Sequence, residues 1–194
     1  MRLPCQARTV DHVSIDFSVG GPVRFWATAD PRDWWLREGG LCSWLAPSAA
    51  LLGECIGAPG LEVTGREVAI GEQMASFDGL GRQRWEGGVR PDLIARDAGG
   101  RAIVIDAQLG PADHDHLGKL VTYAHTMEAD VAVWAVAAAE PPFLAEHPGA
   151  PAGLNEAFVG RRRFTAVTVT LESGPSLLPV APGTPLSPRL SRLV

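Results

Sequence analysis

The stretch from Val89 to Tyr123, VRPDLIARDAGGRAIVIDAQLGPADHDHLGKLVTY, leaves the chain few ways to fold. Its patterns read, in order, as strand, tight turn, strand and helix. Leu93 and Ile94 run into Asp97-Ala98-Gly99-Gly100, whose two glycines can take the positive φ angles a hairpin turn needs. Ala102 to Ile105 is an apolar run rich in branched side chains, the composition of a buried strand, and Asp106 follows it directly. With the turn centred between Ala98 and Gly99, antiparallel counting sets Asp92 almost opposite Ile105 and Asp106. Side chains alternate along a strand, so Asp106 and Gln108 share one face and Ala107 takes the other. The expected cluster is Asp92, Asp106 and Gln108. Two anions brought together in a partly buried place are costly unless a cation or a proton neutralises them, and a divalent metal is the natural answer.

The segment after this strand, Asp113 to Met127, is expected to be a helix capped by Asp113. Leu117, Leu120, Val121 and Ala124 form its packed stripe. His116, Lys119 and Tyr123 are three and four residues apart and line one side next to that stripe. His114 and His116, two apart, face away from each other, which argues against one cation taking both. Gln108 brings no positive charge to the acid cluster, so the ammonium of Lys119 is the candidate for stabilising negative charge there from the helix; a neutral surface position is the other reading.

Pro91-Asp92, the hairpin and Asp106-Ala107-Gln108 resemble the signature of the PD-(D/E)XK nuclease superfamily, with glutamine where lysine is usual. Together with Asp113-His114-Asp115-His116-Leu117-Gly118-Lys119-Leu120-Val121-Thr122-Tyr123-Ala124, they look like an uncharacterised bacterial branch with an acid-x-Gln-Leu core and a DHDHLGQLLTYA-like helix. The likeness runs loosely from about Trp34 to Leu171. It implies an α/β domain of restriction-endonuclease type, a mixed central sheet flanked by helices, that hydrolyses phosphodiesters in nucleic acid, DNA more than RNA. It further implies Mg²⁺ (or Mn²⁺) on Asp92, Asp106 and the main-chain carbonyl of Ala107, with Gln108 positioning the attacking water. A glutamate from the first core helix often completes such a site, and Glu54 is similar in position; a solvent-facing helical glutamate is the alternative.

The rest of the chain is read around that centre. Val13, Ile15, Phe17 and Val19 alternate as a half-buried strand ending at Gly20-Gly21-Pro22, and Val23 to Thr28 suits a partner strand. Trp34-Trp35 suits the entry to a helix or loop and reads as packing before base stacking. From Pro47 to Gly57 the pattern is helical, with Leu45, Ala49, Leu52 and Ile56 as its stripe. Leu61 to Ile70 reads as a strand bent at Gly65. Residues 71–88 read as a long glycine-bearing loop, in which Arg82, Arg84 and Trp85 suit a nucleic-acid strand or else a plain insertion. VAVWAVA, Val131 to Ala137, is apolar on both faces and so belongs at the centre of a sheet. A short or broken helix is expected near Leu154 to Phe158, then Arg161-Arg162-Arg163 at the entrance of a strand running to Leu171. Those arginines suit a backbone phosphate or a solvated turn.

Composition sets outer limits. At 194 residues, one domain is expected, with an extension over 1–40, a core over 41–173 and an extended tail over 174–194. Cys5, Cys42 and Cys55 are scattered and odd in number, as reduced structural thiols are. No apolar run approaches the roughly 18 residues of a membrane span, and the start lacks a signal-peptide pattern, so a soluble cytoplasmic protein is expected. The net charge of -5 offers no global attraction for nucleic acid, so any positive surface must be local. Of the basic residues only Lys119 is lysine; the rest are arginine, the better phosphate fork. A homodimer would be needed for double-strand cuts. The competing readings are a binding or scaffolding module without turnover, and a fold-related enzyme of a specialised bacterial pathway acting on another substrate.

Overall fold

The computed structural model describes residues 12–16, 24–70, 74–77, 83–86, 89–138, 150–157, 162–173 and 186–192. The described elements are β1 (His12–Asp16), β2 (Arg24–Ala29), α1 (Pro31–Trp34), α2 (Glu38–Leu45), α3 (Ala49–Ile56), β3 (Glu62–Arg66), β4 (Met74–Phe77), β5 (Gln83–Glu86), β6 (Leu93–Arg96), β7 (Ala102–Leu109), α4 (His114–Thr126), β8 (Val131–Ala137), α5 (Ala150–Ala157), β9 (Arg163–Glu172) and β10 (Ser187–Arg192). They make one α/β domain around a mixed sheet in the order β1-β2-β9-β8-β7-β6-β3, with β10 also on β9.

The apolar runs explain the centre. β7, β8 and β9 are parallel neighbours, and β8 is buried along its whole length. Odd-numbered β8 residues such as Val131, Val133 and Ala135 face α2 and α3 with Ile103, Ile105 and Val167. Ala132, Trp134 and Val136 face the other way, with Leu120 and Ala124 of α4 and with Phe164. A sheet covered on both faces needs side chains that are apolar at every position, which is what these strands supply. Among the described residues, no helix is long and apolar enough to cross a membrane.

The β6–β7 hairpin turns where expected, with Gly100 at φ 80 as its left-handed residue. Asp97 fixes the turn by accepting the Arg101 N–H at 2.9 Å and its Nε–H at 2.6 Å. The expected bend in β3 is a register shift between Val63 and Gly65. The stripe Ala49, Leu52 and Ile56 is buried on α3, which stops at left-handed Gly57.

Several boundaries differ from the sequence expectation. Residues 71–88 are not a plain loop: β4 and β5 pair with each other, and Ile70 bridges Val89 at their base. A four-residue ladder is too short to print a clear period-2 pattern among glycines. Three strands within the expected extension and tail, β1, β2 and β10, also belong to the sheet. Leu171 pairs with both Ala29 and Pro188, and Glu172 with both Thr28 and Ser187. A strand residue has two neighbours, so β2 and β10 lie on opposite flanks of β9. β8 makes its last pair with β9 at Thr168, and β2 occupies the flank that β8 leaves. The segment after β2 therefore arrives at the carboxyl ends of the parallel strands.

On the other side of the sheet, α5 is clipped to β9 by one side chain. Asn155 Oδ1 accepts the Phe164 N–H at 2.6 Å and Asn155 Nδ2 donates to the Phe164 carbonyl at 2.9 Å. Asn155→Ala removes both bonds and is expected to cost about 2 kcal/mol, read as a lower urea midpoint at unchanged slope.

Candidate active site

The site begins where a ladder stops. β6 and β7 pair from Arg96↔Ala102 up to Leu93↔Ile105, and one step further sets Asp92 opposite Asp106. β7 then continues against β8 to Leu109↔Ala137, leaving its other flank open. Asp92 fills the first gap there: its Oδ2 accepts the Ala107 N–H at 2.7 Å. N–H and C=O of one strand residue face the same flank, so the Ala107 carbonyl looks into this opening too. Asp106 itself is only 3% exposed, on the same sheet face as Gln108 and Trp134. The carboxyl ends of parallel strands, beside the start of a crossover helix, are where α/β sheets hold ligands.

The second wall is α4. Asp113 caps it by accepting the His116 N–H at 2.9 Å, which turns the first helical residues toward β7. His116 Nδ1 then lies 2.8 Å from Asp106 Oδ2, and its Nε2 lies 3.7 Å from Glu38 Oε1 of α2. His114 is exposed, and His116 turns into the site. Lys119, one turn on, is exposed, and its charge reaches His116. Tyr123 is half-buried two turns on, within the fields of Asp106 and Asp92.

Gln108 does a different job from the one expected of it. Only 4% of it is exposed, and its amide is spoken for at both ends. The two hydrogens of its terminal amide nitrogen, Nε2, go to the Pro111 carbonyl and to Asp113 Oδ2, the latter at 2.8 Å, while Oε1 accepts Trp134 Nε1–H at 3.1 Å. A water-positioning role is therefore corrected to a positional one: Gln108 holds Asp113, Asp113 caps α4, and α4 delivers His116 to Asp106.

The electrostatics are those of a crowded pair of acids. Burial pushes Asp92 up to about 6; the Ala107 N–H opposes this, the charges of Asp106 and Glu38 add to it, and His116 relieves it. The hydrogen bond that His116 donates to the Asp106 carboxylate holds its imidazole above the ordinary range, against its burial. Burial, then the Asp106 and Asp92 charges, raise Tyr123 and keep its phenol protonated. Beneath the site, burial and then the Asp92 charge push the Cys42 thiol up to about 12, so it is inert packing.

Other expected residues fall elsewhere. Glu54 lines a groove with Trp44, Cys55, Arg189 and Leu190, between α3 and β10, so its expected metal role is corrected. The helical carboxylate that faces Asp92 and His116 is Glu38, which the sequence reading missed. Its one signal is weak: an acid in the first turn of a helix is common for dipole reasons alone. Arg162 lies 3.4 Å from His125, in the last turn of α4, and Arg163 donates to the Ile56 carbonyl. Both sit at the start of β9, the opposite end of the parallel strands from Asp106, so Arg162 is corrected from substrate contact to structural edge. Arg82 and Arg161 lie outside the described residues, as do the side chains of Arg84 and Trp85 on β5. Trp35 is buried against Trp44, with ring centroids 5.6 Å apart, as packing.

Among the described residues, no group of three or more His, Cys, Asp and Glu side chains surrounds a point as metal ligands. The donors present are two carboxylates and one strand carbonyl. That set suits Mg²⁺, which keeps several of its waters and takes one or two carboxylates along with substrate phosphate. No family model matches the chain, and no curated protein and no solved structure matches it.

Proposed function

We propose that this chain hydrolyses phosphodiester bonds in nucleic acid, DNA before RNA, at the Asp92–Asp106 end of β7, with Mg²⁺ or Mn²⁺ as cofactor. The observation that carries the reading is the pair itself: Asp92 and Asp106 meet across the open end of a hairpin, in a place where burial and mutual charge lift Asp92 to about 6. An arrangement that destabilises its own charges is one built for a cation. The resemblance of Pro91-Asp92 and Asp106-Ala107-Gln108 to PD-(D/E)XK nucleases supports the same reading and, with it, a restriction-endonuclease-like fold.

Asp92, Asp106 and the Ala107 carbonyl would hold the ion. When bound, it supplies a lowered pKa for a water nucleophile and charge neutralisation at phosphorus. The protein's side chains supply the remainder. Asp106 fixes the His116 ring through Nδ1, which leaves Nε2 on the Glu38 side to hold or pass a proton at a phosphate oxygen. Tyr123, kept protonated, donates a hydrogen bond, and Lys119 at the rim adds positive charge.

One observation favours a second reading, a binding module without turnover: Gln108, in the place where the resemblance would have lysine, is fully engaged in holding α4. Labelled single- and double-stranded DNA and RNA, incubated with Mg²⁺ or Mn²⁺, decide between them. Cleavage is expected from the wild type and none from Asp106→Ala. Binding without cleavage under every metal would leave only the second reading, and cleavage surviving in the variant would place the chemistry elsewhere.

A further inference from the structure

Next to the acid pair, a groove of about 400 Å³ opens between the α1–α2 junction and the end of β7, lined by Arg32, Trp35, Leu36, Arg37, Glu38 and Leu109. Its accessible apolar lining is aliphatic, from half-buried Leu109 and exposed Leu36, with Trp35 buried behind them. Leu36 stands on its rim 89% exposed, between Trp35 and Arg37. The two rim arginines differ in state. Asp30 holds Arg32 with three hydrogen bonds, Nε to Oδ1 at 3.1 Å and to Oδ2 at 2.9 Å, and Nη2 to Oδ2 at 2.5 Å. The Arg37 side chain makes no hydrogen bond or ion pair with another described residue. Glu38 belongs both to this groove and to the active-site wall, 3.7 Å from His116.

We propose that the groove seats the nucleotide adjoining the scissile phosphate, with its phosphodiester on the Arg37 guanidinium and its base laid against Leu36 and Leu109. The inference rests on the nuclease reading and names the form of its substrate. A strand that leaves the acid pair past Glu38 enters the groove at once. A volume of this size suits a single ligand unit of nucleotide dimensions. Guanidinium and phosphodiester are complementary in charge and in hydrogen-bond geometry. An aliphatic wall meets a base through its apolar face alone and reads none of its edges, so no sequence preference arises here. A paired base cannot lie against that wall, so the strand is single or frayed at this position.

Anisotropy of a labelled single-stranded oligodeoxynucleotide, with Ca²⁺ in place of Mg²⁺, tests it across a salt series. Arg37 and Leu36 are exposed, so Arg37→Gln and Leu36→Ser should melt as the wild type does. Arg37→Gln is expected to weaken binding about tenfold and to lower the slope of log Kd against log salt by about 0.7. Leu36→Ser is expected to weaken binding several-fold with the slope unchanged, and the matching blunt duplex to bind less well than the strand. Wild-type affinity and slope in both variants, or a wild type that binds no strand, would overturn the proposal. Cleavage in Mg²⁺ on the same preparations separates the two layers. Turnover with unchanged KM in both variants removes the groove and keeps the nuclease; Arg37-dependent binding with no turnover does the reverse.

Discussion

Asp92→Asn is expected to give a protein that no longer cleaves and yet melts higher than the wild type at neutral pH. Asn keeps the acceptor for the Ala107 N–H, so the local geometry has no reason to change. What it removes is a carboxylate whose pKa is raised from the ordinary 3.8 to about 6, chiefly by burial. An acid whose folded pKa lies above its unfolded one destabilises the fold wherever the unfolded chain is ionised. The penalty is therefore complete above the folded value, shrinks as pH falls through it, and is gone below the unfolded value. Relief of that penalty is worth about 2 kcal/mol, or roughly 5 °C in a chain of this length. The gain should be present at pH 8 and vanish near pH 4. His116 acts in the same direction. Its folded pKa is raised above 6.5 by Asp106, so its stabilising contribution is complete below 6.5 and is lost as pH rises through the folded value. Wild-type melting temperature should consequently fall between mildly acid and mildly alkaline pH. Calorimetry with and without Mg²⁺ adds a readout independent of turnover: the ion should raise the wild-type midpoint and leave that of Asp92→Asn in place. A variant that melts lower than wild type at pH 8 would contradict the account of the pair.

The second large effect is expected from Gln108→Glu, a change of shape by almost nothing. Oε1 can still accept from Trp134, but the other terminal atom, an N–H donor to Pro111 and Asp113 in the wild type, becomes an acceptor facing two acceptors. A buried anion set against Asp113 should cost about 3 kcal/mol at neutral pH, a fall of roughly 10 °C. Acid should restore much of it, because a protonated glutamate regains a donor at that atom. The damage should also travel. With Asp113 repelled, the cap of α4 weakens and His116 loses its aim at Asp106, so metal-dependent turnover should fall even at temperatures where the variant is folded. Full activity in a folded Gln108→Glu would show that the Gln108–Asp113 bond does not position the helix.

These variants also mark what the sequence discloses and what it hides. The hairpin, the facing of Asp92 and Asp106, and the sheet's centre at β8 were readable because each rests on local counting: two residues per strand repeat, a turn with glycine, an unbroken apolar run. His116, Lys119 and Tyr123 along one side of a helix follow from a period of the same kind. Glu38 was not readable, since it reaches the pair through the course of α1 and α2, across more than fifty positions of chain with no motif between. Gln108 was misread for a related reason. Its position in the strand is local information, but its partners Trp134 and Asp113 come from other elements, and only their arrival decides whether an amide is free to handle water. Arg162 failed likewise, because three adjacent arginines say nothing about which end of a parallel strand they occupy.

The double pairing of β9 bears on any attempt to dissect the molecule. A fragment started at residue 41, where composition suggests a core begins, would keep Asp92, Asp106 and His116 but would delete Glu38, Arg37 and the strand that carries them to the acid-pair end of the sheet. Removal of the last strand would strip the opposite flank of the same β9 segment, Val167 to Glu172. The shortest piece that retains both supports therefore spans Arg24 to Arg192, and trimming into it from either side should be felt at one shared seam.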